Sequence, residues 1–355
     1  MPFNPQMLTI KVIDKLDANQ LSRLDKFVLE QGDGTPFHRP AWVLSVADAC
    51  GHQWRYLAAE DQNSEIQAIL PLHLVHSSLF GRALVSSGFA VGGGILSRST
   101  HATQLLAEAA WKFAECHSFP SVELRGGPAP EENWQRKDGV YAGFVNDLAD
   151  SDENQLLAIP RKQRAEVRKG LKNDLEIRVG NTEQDRADHY AVYSESVRNL
   201  GTPVFPLELF ANVLDAFGDA ADILTVLSNG KPVASVLSLY HNGTVMPYWG
   251  GGTWEARRLR ANDIMYYALM NHARGRGYKH FDFGRSKVGT GAYSFKKNWG
   301  FEPEPLSYAV RTANGEEARD VNPMSPKYRL QVALWQRLPL SVANKLGPFI
   351  AKGLG

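Results

Sequence analysis

The chain has 355 residues, 43% hydrophobic and 22% charged, with a formal net charge of +1. This is a globular composition, and the length favours two domains, each able to bury a core without metal or disulfide staples. Near-neutral charge excludes a global attraction to nucleic acid or membrane, so any such partner must meet a local patch.

Cys50 and Cys116, the only cysteines, exclude a zinc cluster and a disulfide framework and fit a reducing compartment. The opening "MPFNPQMLTIKVIDKLD" lacks a basic start followed by an apolar stretch. The longest apolar runs, such as "AILPLHLV", fall far below the roughly 20 residues of a bilayer span. The expectation is a cytoplasmic protein. No Walker loop, dinucleotide fingerprint or nucleophile elbow is found, and His73 and His76 sit on opposite faces of a predicted strand, a poor metal pair.

Taken in chain order, the predicted elements repeat. "TPFHRPAWVLSVADACG" at 35–51 is echoed by "TPVFPLELFANVLDAFG" at 202–218. Each is followed by two strands, "WRYLAAED" and "IQAILPLHLV" in the first half, "DILTVLSN" and "KPVASVLSLY" in the second. A glycine triplet comes next ("AVGGGIL", "YWGGGTW"), then an amphipathic helix and a last strand, "SVELRGG" or "HFDFGRS". Both units therefore read β-α-α-β-β-β-α-β.

Between them, "IPRKQRAEVRKGLKNDLEI" predicts a basic helix that begins after Pro160. It is either a solvated surface or a phosphate-binding wall at the domain junction, with Arg161 and Arg164 as the residues to hold phosphate. The segment 319–355 holds Arg319, Lys327, Arg329, Arg337, Lys345 and Lys352 against Asp320 alone, with Leu330, Leu334, Trp335 and Leu338 at helical spacing. It reads either as a basic amphipathic tail on an anionic membrane face or as a helix docked on its own domain.

The chemistry concentrates at "HFDFGRSKVGTGAYSFKKNWGFEP", 280–303. On a helix Tyr293, Lys296 and Lys297 share one side, while Phe295 and Trp299 face the core. Acyl transfer needs a neutral amine, donors for an oxyanion and a proton source for the leaving group. Lys296 or Lys297 suits the oxyanion or a phosphate, and Tyr293 suits the proton donor. Asp282, at the strand's C-terminal end, either orients Lys296, accepts the amine proton or pairs with Arg285. Gly250 and Gly251 give a ligand access to backbone N–H groups or make a tight turn, and Tyr248 and Trp249 form an aromatic wall or core.

This strand order resembles the GNAT (acyl-CoA N-acyltransferase) fold. Two such units closed by "GTGAYSFKKNWGF" resemble the Fem family of peptidyl and aminoacyltransferases. "GTPVFP", "YWGGG", "ANDIMYYALM", "FDFGRSKVGTGAYSFKKNWGFEPEPL" and "NPMSPKYRL" resemble, more narrowly, Fem-related proteins associated with exosortase (PEP-CTERM) and exopolysaccharide systems. The resemblance implies an α/β fold of tandem GNAT-like domains with mixed central sheets. The expected boundaries are 1–155 for the first domain, which binds acceptor or shapes the cleft, and 156–175 for a basic linker helix. A catalytic second domain spans 176–318 and a basic tail 319–355.

Fem enzymes pass an aminoacyl group from transfer RNA to an amine of a lipid-linked wall precursor, and their Phe-Lys pair maps to Phe295-Lys296. The resemblance thus implies acyl transfer with Lys296 near the reacting carbonyl, and a phosphate-bearing or lipid-linked acceptor. Aminoacyl-transfer RNA or acyl-coenzyme A serves as co-substrate and no cofactor is expected. Substrate contacts are expected from Lys297, Arg285, Tyr248, Trp249, Gly250, Gly251, Arg161 and Arg164. Coenzyme A users of this fold carry a glycine-rich pyrophosphate loop where this chain reads "EARRLRAND" without the key glycine, which argues against a conventional coenzyme A site. An acyl-coenzyme A amino-sugar acetyltransferase and a non-catalytic scaffold are the competing expectations.

Overall fold

The computed structural model describes residues 7–131, 133–316, 319 and 329–355. Asp320, Lys327 and most of "NPMSPKYRL" lie outside the described residues. The chain forms two compact units: residues 1–138, 306–321 and 352–355 in the first, 139–305 and 322–351 in the second.

The first unit begins with β1 (Thr9–Ile13), α1 (Ala18–Glu30) and α2 (Pro40–Cys50). It continues with β2 (Gln53–Glu60), β3 (Ile66–Ser77), β4 (Gly81–Ser86), β5 (Leu96–Ser97), α3 (Thr100–Cys116) and β6 (Ser121–Arg125). β1 to β4 form an antiparallel meander, and β6 lies parallel to β4, a crossover that α3 supplies. Asp17 caps α1 in a capping box with Gln20, and Ser99 caps α3 through the Ala102 N–H. One face of α3, with Leu106, Ala110 and Trp111, joins Leu70, Leu72 and Leu84 of the strands in a core.

The second unit contains the end of β7 (Gln135–Gly143), then β8 (Val145–Asp147), α4 (Asp152–Ala158) and α5 (Arg161–Gly170). β9 (Leu175–Gly180), α6 (Glu183–Leu200), α7 (Leu207–Phe217), β10 (Ala221–Ser228), β11 (Lys231–His241) and β12 (Thr244–Gly252) follow. Next are α8 (Ala256–Leu259), α9 (Ala261–Gly275), β13 (His280–Asp282), β14 (Ser286–Lys287) and α10 (Gly291–Asn298). β15 (Glu304–Thr312) carries the chain back, its residues Tyr308–Thr312 pairing antiparallel with β6 of the first unit. α11 (Arg329–Trp335) and α12 (Leu340–Ala351) belong again to the second unit. The six-stranded sheet runs β8-β13-β12-β11-β10-β9, with only β12 and β13 parallel.

The two units share the expected order. In each, three antiparallel strands lead through a helix to a strand parallel to the third. The boundaries are distributed differently from those read off the sequence. The segment expected as a linker is part of the second unit, because α5 buries Val167 and comes so close to α9 that a Cβ on Gly170 would stand 2.6 Å from Ile264 Cγ1. Gly170 is there for helix contact as well as helix ending.

The glycine triplets, aligned by sequence, have different structures. Gly92, Gly93 and Gly94 lie in a loop between β4 and β5, folded onto the end of β6 so closely that a Cβ on Gly94 would be 1.8 Å from Gly126 O. Thr35 Oγ1 donates to Gly92 O at 2.9 Å and His38 Nε2 lies 3.1 Å from Gly94 O, which ties the loop down. The first unit thus fills the space beyond its parallel strand pair with its own backbone. Gly250, Gly251 and Gly252, by contrast, stay in β12, opposite Val236, Ser235 and Ala234 of β11.

Candidate functional site

β12 and β13 pair only at Thr244↔His280 and Val245↔Phe281. Beyond these residues β12 continues to Gly252 with β11 on one side and, among the described residues, no strand on the other. The sheet of the second unit therefore opens at the C-terminal end of β13, and backbone groups of β12 face the gap. A bulge at the same level makes Tyr248 an extra residue opposite Leu237 and Ser238, a device that re-aims a side chain next to functional sites. Tyr248 is half-buried. Trp249 is only 4% exposed, its ring 4.9 Å from Phe210 and 5.9 Å from Phe205. The core surrounds Trp249, which removes it from the ligand-facing set.

The glycines of β12 are explained first by close packing. A Cβ on Gly251 would be 2.2 Å from Ser196 Oγ of α6, and one on Gly252 would be 2.3 Å from Asn262 Oδ1 of α9. Asn262 Oδ1 and Thr253 Oγ1 are buried with no hydrogen-bond partner among the described residues. Such groups are uncommon unless water or a ligand completes them.

The loop after β13 is built around Asp282 and two positive-φ glycines, Gly284 at +69° and Gly289 at +80°. Asp282 Oδ1 accepts the Gly284 N–H at 2.7 Å, and Thr290 caps α10 by accepting from Tyr293 N at 3.3 Å. On α10, Phe295 turns into an aromatic cluster with Tyr266, Phe283 and Trp299.

Helix phase then sends Lys296 back toward the loop, where its Nζ donates to Gly284 O at 3.1 Å and Arg285 O at 3.0 Å. The ammonium stands 5.4 Å from the Phe144 ring centroid and 6.0 Å from that of Phe283, within cation–π range. An ammonium has three donors, so among the described residues one remains after the two carbonyls. Lys297 is exposed.

Burial pushes the Lys296 amine down to about 8, against the pull of the Asp282 charge and with help from Arg285. Burial likewise raises the Asp282 carboxyl, opposed by the Gly284 N–H and by Lys296 and assisted by Glu304. Tyr293 packs edge-on against Phe144, with centroids 5.4 Å apart. Phe144 thus adjoins both Tyr293 and Lys296, and Lys296 feels the charge of Asp282 across the loop.

Arg285 lies with its guanidinium 4.5 Å over Tyr141. Arg161 and Arg164 are on α5, where a groove of about 400 Å³ is lined by these two with Arg168, Lys169 and Lys172. Pro160, just before α5, comes near Gly300 at the end of α10: a Cβ there would lie 3.0 Å from Pro160 Cδ.

The N-terminus of α9, where coenzyme A users of this fold would be expected to bind pyrophosphate, is differently furnished here. Arg260 takes the left-handed conformation at φ +57°, and its Nε pairs with Glu166 Oε2 at 2.8 Å. Asp263 in the first turn accepts from Gln163 Nε2 at 2.6 Å. A carboxylate there already complements the helix dipole.

Sequence reasoning missed Phe144, which touches both Lys296 and Tyr293 from about 150 residues upstream. It also missed Ser196 and Asn262; Asn262 was within reach, lying inside the quoted "ANDIMYYALM".

Among curated proteins none matches the chain significantly. Solved structures are similar in fold. "Crystal structure of FemX" superposes with a TM-score of 0.66 at 15% identity, covering 86% of this chain and 98% of that one. The C-terminal domain of a putative lysylphosphatidylglycerol synthetase from Agrobacterium fabrum gives 0.54 at 15%, covering 83% and 93%. A tandem GNAT protein from the clavulanic acid biosynthesis pathway gives 0.52 at 13%, covering 88% and 100%. The fold is therefore mixed α/β of the tandem GNAT kind, and residues 161–297, which carry α5, the β12–β13 opening and Lys296, match the family described as Acetyltransferase (GNAT) domain.

Proposed function

We propose that the chain is an N-acyltransferase of the GNAT type, passing an activated acyl or aminoacyl group to an amine of a cell-envelope or exopolysaccharide precursor. The observation that carries this reading is Lys296, a half-buried ammonium fixed by two carbonyls at the end of β13, with a third N–H to spare. The neutral amine attacks the carbonyl carbon of the donor, and negative charge moves to the carbonyl oxygen. The Lys296 N–H and backbone N–H groups on the open edge of β12 stabilise that charge. Asp282, its carboxyl raised by burial, takes the amine proton, and Tyr293 protonates the departing oxygen or sulfur as the tetrahedral intermediate collapses.

The carboxylate at the start of α9 and the missing glycine favour an aminoacyl donor over coenzyme A. The acetyltransferase description of the matching family favours the alternative donor, acetyl-coenzyme A. Purified protein is incubated with an amino-sugar acceptor and either labelled aminoacyl-transfer RNA or acetyl-coenzyme A, with calorimetry of coenzyme A binding in parallel. Label transfer from transfer RNA without coenzyme A binding supports the first donor. Micromolar coenzyme A binding with acetyl transfer replaces it with the second, and transfer from neither removes the enzymatic reading.

A further inference from the structure

We propose that α11 and α12 form an in-plane docking face for an anionic phospholipid surface. The packing of α12 is inverted relative to an ordinary soluble helix. Its small residues Ala343, Gly347 and Ala351 are the buried ones, and a Cβ on Gly347 would be 2.9 Å from Val204 N. Three of its large apolar residues point outward, Val342 at 39% exposed, Leu346 at 46% and Phe349 at 76%, while Leu340 and Ile350 are half-buried. Burying large apolar side chains is the usual source of docking energy, so a helix that turns them outward has a second apolar neighbour still to meet.

α11 extends the same pattern with exposed Leu330 and Leu334, while Val332 packs on Gly201. The helices are held in place on the unit. Asn344 Nδ2 donates to Ser194 Oγ at 3.2 Å, and Arg198 Nη1 donates to Gln336 O at 3.3 Å. The outward face is therefore a fixed part of the surface.

Charge selects the occupant. From Arg329 to Gly355 the chain has cations and no acidic residue, and Arg329, Arg337 and Lys345 are exposed among the apolar side chains. A second copy packed on this face about a two-fold axis would set these cations against themselves. A bilayer with anionic headgroups accepts both components, the apolar side chains below the headgroups and the cations among them. Among the described residues no helix is long and apolar enough to cross a membrane, so the contact is one of lying on the surface. This inference does not depend on the acyl-transfer reading.

The test is flotation of the full chain with vesicles of phosphatidylcholine alone and of phosphatidylcholine mixed with phosphatidylglycerol. The chain is expected to float with the mixed vesicles only, less so in high salt. Leu346→Glu combined with Phe349→Glu is expected to weaken binding about tenfold or more at unchanged melting temperature, and Leu29→Glu, exposed on α1 of the first unit, to leave it intact. If the double variant misfolds, Arg337→Glu with Lys345→Glu decides by the same loss. No binding to mixed vesicles, binding undiminished in a folded variant, or a dimer or hetero-complex that the double variant dissociates would each overturn the proposal.

Discussion

Two adjacent lysines end in different environments, and helix phase alone separates them. Once Phe295 and Trp299 are anchored in the aromatic cluster, Lys296 turns to the loop carbonyls and Lys297 to solvent. Because burial holds the Lys296 amine at about 8, its charge is present below that pH and lost as pH rises through it. If the ammonium stabilises the oxyanion, kcat/KM falls above about pH 8 once acceptor ionisation is allowed for. Lys296→Arg would move that alkaline limb beyond the measurable range. A limb that stays in place in the arginine variant assigns it to another group. The same shift affects stability: between about pH 8 and roughly 10.4, the unperturbed lysine value, the unfolded chain binds more protons, so this group makes stability rise with pH across that window.

At the scale of elements, the glycine triplets show what a sequence echo conveys and what it hides. Their recurrence after the same strand was legible; their opposite conformations were not, since each depends on the backbone or side chain that packs against it. Gly94 meets a backbone carbonyl that cannot move aside, whereas Gly251 meets the side chain of Ser196. Gly94→Ala is therefore expected to cost more than about 3 kcal/mol, and Gly251→Ala about 1–3 kcal/mol. Ser196→Gly should recover most of the second loss in urea melts. Equal losses, or no recovery with Ser196→Gly, would mean that the close contacts are not what demands glycine. The inward turn of Phe295 and Trp299 was readable from their spacing of four. Phe144 was not, because nothing in its own neighbourhood marks it as the floor of a lysine site.

For the molecule as a whole, the duplicated order of elements was plain in the sequence because alternation and helical periodicity are local signals. The division into units was less so. β15 returns to the first unit and α5 packs into the second, and both depend on distant pairing. Stability in the second unit draws on a polar cluster that the sequence did not announce. Asp222 accepts from Tyr240 Oη at 2.9 Å, His272 Nε2 at 3.0 Å and Arg276 Nη1 at 2.9 Å. It thereby ties β10 and β11 to the end of α9. Asp222→Asn is expected to lower the unfolding free energy by about 2–3 kcal/mol in urea titrations. A loss under about 0.5 kcal/mol would show the cluster to be a solvated surface arrangement.

The similarity of the units stops at the parallel strand pair: the first closes the space beyond it with its own glycine loop, and in the second, among the described residues, no strand covers β12 beyond its short pairing with β13. The most direct measurement is the steady-state rate of acyl transfer by Lys296→Met beside the unaltered protein, with folding verified by circular dichroism. The account predicts a fall in kcat of about 100-fold or more with KM nearly unchanged. A folded Lys296→Met protein that transfers at the normal rate would contradict it.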